Sequence, residues 1–150
     1  MGERVNIGKA LPELYQRMVE LDRQAGQALS AAGIAEGFSH VLRLRASQIN
    51  QCAFCMRLHA RDALACGEPG DRLAVLPAWR ETAYFTPSER AALALVEAVT
   101  QVAEGQVPDA VYAHAREQLT DAQIAAVQWL AVVINSWNRI AITSRYPVAG

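Results

Sequence analysis

Apolar residues recur at steps of three and four along most of this chain, which is the spacing of amphipathic α-helices. Runs in which Val, Ile or Thr alternate with polar residues, as they do in β-strands, are absent. The pattern predicts an all-α chain of about six to seven helices, with no linker and no internal repeat. The predicted helices cover about 12–32, 35–49, 52–66, 71–76, 87–103, 108–119 and 121–145.

Two of these helices carry clear start signals. Thr86 is followed three positions later by Glu89, and Thr120 is followed at the same spacing by Gln123. In such capping boxes, the hydroxyl and the Glu or Gln side chain bond backbone N–H groups that the first turn leaves free. Helices are therefore predicted to begin directly after Thr86 and Thr120.

The last predicted helix, 121–145, is apolar on nearly every side. One chain of this size offers little cover for such a helix, so we expect copies of the chain to pack together. Asn135, Asn138 and Arg139 interrupt the apolar sequence. Because buried polar groups need partners, we expect these residues to hydrogen-bond to loops or to a neighbouring subunit.

Composition narrows the functional classes. The 150 residues are 52% hydrophobic and 19% charged, which is typical of one packed domain, and its core is predicted at about 11–145. The 14 Lys and Arg residues balance 15 Asp and Glu residues without a run of like charge, which disfavours nucleic-acid binding. No stretch resembles a membrane span or a signal peptide, and we expect a soluble, cytoplasmic protein that makes no membrane contact.

Cysteine and histidine supply the candidate chemistry. Cys52 and Cys55 form a Cys-x-x-Cys pair, and His59 follows four residues later. At about 100° per residue, these three side chains project from one face of a helix. The stripe indicates a redox or nucleophilic site, in which one thiol attacks, the other closes a disulfide and His59 accepts a proton. Cys66 has no partner in the sequence, and we interpret it as a small buried hydrophobic residue.

Two further inferences concern the cysteine pair. A helix that opens at Cys52 places both sulfur atoms near its positive end, where Cys52 is favoured as the thiolate. A rival interpretation is a zinc site, because Cys52, Cys55, His59 and the upstream His40 make a possible Cys₂His₂ set. The spacing disfavours it, since structural zinc sites usually hold a Cys-x-x-Cys on a turn and draw the other pair from a second element.

The run LRASQINQCAFC at 44–55, followed by HARDA at 59–63, resembles the core of the AhpD-like alkylhydroperoxidase family, within the carboxymuconolactone decarboxylase superfamily. Further resemblance lies in 76–81, 85–94 and 134–141, and the likeness spans roughly 11–145. It implies an all-α fold that assembles as a homotrimer or homohexamer and reduces hydroperoxides through a cysteine pair. It implies no cofactor.

The resemblance also implies a role for each site residue. The second cysteine of the family motif, which matches Cys55, is oxidised to a sulfenic acid, and the first, which matches Cys52, resolves it to a disulfide. The histidine that matches His59 belongs to a proton relay. A dithiol of the lipoyl or thioredoxin type is the implied reductant. Decarboxylases of the superfamily typically lack the cysteine pair, so its presence points to redox chemistry.

One position departs from the family pattern. Members commonly carry a Glu twelve residues before the first cysteine, as the other end of the relay, and this chain has His40 there. A neutral imidazole relays a proton but supplies no negative charge. It also adds a good ligand for a soft metal ion.

The sequence therefore supports three hypotheses. The first is an oligomeric, thiol-dependent peroxidase or disulfide reductase with an antioxidant role, in which Cys55 attacks, Cys52 resolves, and His59 and His40 move protons. The second is a zinc-binding or redox-sensing helical assembly that uses the same four residues. The third is a decarboxylase or isomerase of the superfamily type that acts on a small cyclic acid.

Overall fold

Helices make up the regular structure of residues 3–149, the part of the chain that the computed structural model describes, and no strand occurs there. Six of the helices in this part have ten or more residues, as the periodicity predicts. The helices are α1 (Ile7–Ala10), α2 (Pro12–Ala31), α3 (Glu36–Ile49), α4 (Ala53–Ala65), α5 (Gly70–Ala74), α6 (Pro87–Thr100), α7 (Val102–Gly105), α8 (Asp109–Gln118) and α9 (Asp121–Ser144). A 3₁₀ helix, Leu76–Glu81, connects α5 to α6.

The predicted helix starts are confirmed at α6 and α9. Thr86 and Thr120 each accept a hydrogen bond from the backbone N–H three residues later, and the Glu89 and Gln123 side chains return the bond to the cap residue. Helix α1 was not predicted, because its four residues are too few to show a periodicity. It docks on the end of α9, where the backbone N–H of Ile7 donates to Ser144 Oγ at 3.1 Å.

Helix α3 lies at the centre of the fold, where it packs against α4, α6 and α9. Its apolar residues Val41 and Leu42 are fully buried, together with Leu93 of α6 and Val127 of α9. This packing holds the end of α3 and the start of α4 rigidly against α9, and the cysteine pair lies at that junction.

The apolar surface of α9 exceeds what one chain covers. Trp129 and Val132 lie on the same side of the helix and are 53% and 45% exposed. The single chain thus leaves part of the apolar surface of α9 uncovered, and assembly into oligomers stays a prediction. No helix within residues 3–149 is both long enough and apolar enough to cross a membrane.

Glu97 on α6 ties three elements together. Its carboxylate accepts hydrogen bonds from Arg45 Nε at 2.8 Å, Trp79 Nε1 at 2.8 Å and Arg80 Nη1 at 2.7 Å. Burial pushes the pKa of Glu97 upward, but these three donors outweigh it and hold the pKa below its ordinary value. The ionised carboxylate is thus part of the folded structure.

We expect Glu97→Ala to lower the free energy of unfolding by about 3 kcal/mol, because it leaves buried donors without an acceptor. The stabilisation by Glu97 should be complete above its ordinary pKa of 4.5 and lost as the pH falls through its lower folded value. Urea unfolding at pH 7 measures the effect, with Glu104→Ala on the exposed α7 as the control. Equal stability of the two variants would contradict this role.

Candidate active site

The cysteine pair sits at the turn that joins α3 to α4. Gln51, the residue before Cys52, adopts a positive φ of 57°, which turns the chain sharply between the two helices. Helix α4 then begins at Ala53, one residue later than predicted, and Cys52 is its N-cap. The Sγ atom of Cys52 accepts a hydrogen bond from the backbone N–H of Cys55 at 3.4 Å. The first turn of α4 therefore directs a backbone donor at the Cys52 sulfur.

Both cysteines are buried and unbridged, with 1% and 4% of their surface exposed. Cys52 and Cys55 lie close together at this junction. Burial, and after it the neighbouring Cys52 side chain, raise the pKa of Cys55 to about 12, although Asn138 opposes both effects. Cys55 is therefore a neutral thiol at pH 7, and it needs a proton acceptor in order to react.

Amide side chains of α9 fix this junction. Asn50 Nδ2 at the end of α3 donates to Asn135 Oδ1 at 2.8 Å and to Asn138 Oδ1 at 2.9 Å. Asn138 is fully buried and donates from Nδ2 to Ser47 Oγ at 3.0 Å. Asn135 and Asn138 thus find partners at α3 of the same chain, and Arg139 Nη1 donates to Asn135 O within α9 at 3.0 Å. The expected partners were loops or another subunit.

A cavity of about 290 Å³ opens over Cys55. Helices α2, α4 and α9 supply most of its walls, and Asp22, Arg43 and His59 bring polar atoms to it. Most of its lining is aromatic or aliphatic: Tyr15, Phe54, Leu58, Trp137, Ala141 and Tyr146. Pockets of this kind, apolar with a few convergent polar groups, are the usual sites for small molecules.

His40 and His59 form a pair across α3 and α4. Their Nδ1 atoms are 3.4 Å apart, and the two rings are stacked with centroids 5.6 Å apart. Burial, followed by the charge of Arg43 and then by His40, lowers the pKa of His59 to about 3. Burial and Arg43 likewise lower the pKa of His40, although Asp62, with Oδ2 3.9 Å from His40 Nδ1, opposes this. Both imidazoles are therefore neutral at pH 7, and His59 can accept a proton.

Arg43 is the site residue that the sequence analysis missed. It lies three positions after His40 on α3, and the Arg43 guanidinium is buried with Nη1 donating to Ser39 Oγ at 2.8 Å. Together with Asp22, Leu58 and His59, it lines both the cavity over Cys55 and a neighbouring cavity of about 470 Å³. The sequence offered one signal for Arg43, which is its position as a charged residue within the apolar run 41–44.

The structure does not assemble the predicted zinc site. Within residues 3–149, two groups bring three possible ligand atoms within 4.8 Å of one another, and neither contains Cys52 or Cys55. These groups are Glu36 with His40 and Cys66, and His40 with His59 and Asp62. The charge of Arg43, which disfavours a proton on either histidine, also opposes a metal cation beside them.

Cys66 is exposed, so its interpretation as a buried hydrophobic residue is wrong. It follows α4 as the C-cap residue, at a helix end that is open to solvent. The acidic residues Glu36, Asp62 and Glu68 surround its thiol. It is separate from the Cys52–Cys55 pair.

Comparisons with known proteins place these features in a family. The family model of the carboxymuconolactone decarboxylases matches residues 12–98. An uncharacterised protein of Bacillus subtilis (strain 168), YdfG, is 34% identical over 142 residues, which cover 95% of this chain and 94% of that protein. The crystal structure of ATU0492 from Agrobacterium tumefaciens, a protein of unknown function provisionally assigned to antioxidant defence as AhpD, superposes with a TM-score of 0.88. It is 34% identical and covers 99% of this chain and 100% of its own.

Proposed function

Because the chain belongs to the carboxymuconolactone decarboxylase family and is AhpD-like, we propose that it is a thiol-dependent alkylhydroperoxide reductase with an antioxidant role. One observation carries the proposal: Cys55 lies at an apolar cavity beside His59, with Cys52 in direct contact behind it. An attacking thiol, a resolving thiol and a proton acceptor thereby lie between the N-cap and the second turn of α4.

The first step oxidises Cys55. The sulfur attacks the terminal oxygen of the hydroperoxide, an S–O bond forms, and the O–O bond breaks with loss of an alcohol. His59 takes the thiol proton and returns it to the leaving oxygen, directly or through one water. His40 extends this relay toward the neighbouring cavity. Because the proton only changes place, no net charge accumulates in the buried site.

The second and third steps restore the enzyme. The Cys52 thiol attacks the sulfenic acid on Cys55, which releases water and closes a disulfide between the two residues. A dithiol of the lipoyl or thioredoxin type then reduces this disulfide and is itself oxidised to a disulfide. The overall reaction converts one hydroperoxide and one dithiol into an alcohol, water and a disulfide.

Oxidation with one equivalent of cumene hydroperoxide tests this function. The reduced, metal-free protein is treated with the peroxide and digested, and its cysteine peptides are identified by mass spectrometry. We expect a disulfide between Cys52 and Cys55 at one equivalent, with Cys66 still reduced. Two free thiols after excess peroxide would refute the proposed function.

We also propose that the chain assembles as a homotrimer or homohexamer through the exposed side of α9, which contains Trp129 and Val132. Trp129→Asp places a charge in this surface and should shift the protein to a smaller species in light scattering coupled to size-exclusion chromatography. Leu64→Asp, on the exposed side of α4, is the matched control. An unchanged mass for Trp129→Asp would exclude this surface as the interface.

A further inference from the structure

We propose that Arg43 makes the cavity over Cys55 a binding site for a small molecule with an apolar body and a single anionic head, such as a carboxylate. The anion site stands on its own geometry. Its consequence for substrate class rests on the proposed function: the preferred substrates are organic hydroperoxides that carry a carboxylate.

Arg43 is a buried cation with no bonded counter-ion in the described part of the chain. Only 9% of the residue is exposed, and among residues 3–149 no carboxylate oxygen lies within ion-pair distance of the Arg43 guanidinium. Among the described residues, the guanidinium donates one hydrogen bond, to the neutral Ser39 hydroxyl. A guanidinium in a poorly solvated place gains strongly from an anion, because both partners of the new hydrogen bond are charged.

The acidic residues near Arg43 do not form an ion pair with its guanidinium. Asp22, Asp62 and Glu36 act on it only through space. Asp22 is the nearest rival to a bound anion, since it lines the same two cavities as Arg43. A ligand carboxylate that reaches the guanidinium would make the direct contact that none of these side chains makes.

The rest of the cavity selects the body of the ligand. Beyond Arg43, Asp22 and His59, its walls are aromatic and aliphatic side chains and the Cys55 thiol. At about 290 Å³ the cavity suits a substituted ring or a short branched chain. An anionic head on Arg43 would therefore leave the apolar body against the walls and the reactive end toward Cys55.

Alkylation of Cys55 by two reagents of the same size tests the anion site without any peroxide. Iodoacetate is anionic and iodoacetamide is neutral, and with each the Cys55 thiolate displaces iodide to form a thioether. The ratio of the two rates cancels thiol reactivity and reports how the site responds to the charge of the reagent. Cys66, which lies among acidic residues, provides an internal comparison in the same digest.

The iodoacetate preference is the rate with iodoacetate divided by the rate with iodoacetamide. We expect it to be higher at Cys55 than at Cys66, and to fall about tenfold at Cys55 in Arg43→Gln. Arg43→Lys should keep most of the preference, and Asp22→Asn should increase it. The ratio at Cys66 should not change with Arg43→Gln. An unchanged Cys55 ratio in Arg43→Gln would overturn the proposal.

A second variant keeps the test decisive if Arg43→Gln does not fold. His40→Glu places a carboxylate one turn from Arg43 and should reduce the preference at Cys55, because the new side chain competes for the guanidinium. A folded His40→Glu protein with the full wild-type preference would overturn the proposal. A wild-type protein that shows the preference but consumes no hydroperoxide would refute the peroxidase function and leave the anion site standing.

Discussion

Cys55→Ser should abolish hydroperoxide consumption, whereas Cys52→Ser should still reduce one hydroperoxide per subunit and then stop. The serine hydroxyl is too weak a nucleophile to open the O–O bond, so the first variant loses the attacking atom. The second keeps Cys55 but has no resolving thiol, so oxidation ends at a sulfenic acid. Peroxide consumption in a single turnover, together with dimedone labelling and mass spectrometry, measures both effects.

Attack by Cys52 is the competing hypothesis, because the Cys52 sulfur lies at the N-terminus of α4 and accepts the hydrogen bond from the Cys55 N–H. If Cys52 attacks, dimedone labels Cys52 in Cys55→Ser and nothing is labelled in Cys52→Ser. The cavity argues against this order: Cys55 lines it, whereas Cys52 lies behind Cys55 and does not. Cys66→Ser is the matched control and should behave as wild type, since its thiol lies apart from the pair.

The parts of the fold that depend on local sequence were predictable. Capping boxes at Thr86 and Thr120 set two helix starts, and the placement of Cys55 and His59 on one side of α4 follows from helical geometry. These predictions needed only residues within two turns of one another. The one-residue error at the start of α4 arises because Cys52 acts as the cap and not as the first helical residue.

The features that were missed depend on how helices pack. Arg43 reads as one charged residue in an apolar helix, and only the approach of α2 and α4 makes its surroundings a cavity. The exposure of Cys66 is likewise decided by what happens to pack on the end of α4. Sequence periodicity specifies which face of a helix is buried but not which helix covers it, so side chains joined across helices have no local signature.

His59→Gln should slow the reaction of Cys55 with hydroperoxide by about 10²–10⁴-fold at pH 6, with a smaller loss as the pH rises. With its pKa near 3, His59 is neutral above that pH and can accept the Cys55 proton throughout the usual range. With its pKa near 12, Cys55 is almost entirely protonated in this pH range. The wild-type rate should therefore be nearly flat from pH 5 to 8, since the base is present and the thiol is protonated throughout.

In His59→Gln, only the ionised thiol can react, so the rate should rise about tenfold per pH unit over the same range. The charged and titratable groups that surround His59 from the packed helices are His40 and Arg43 of α3, Asp62 of α4 and Asp22 of α2. Asp62→Asn serves as the control: it removes one of these charges but leaves the proton acceptor, so the flat profile should remain.

A flat profile in His59→Gln would show that another group takes the proton, and a tenfold slope in the wild type would show that Cys55 reacts only after ionising. Stopped-flow measurement of a single oxidation in each protein separates these cases, because it isolates the step in which the S–O bond forms from the later reduction of the disulfide.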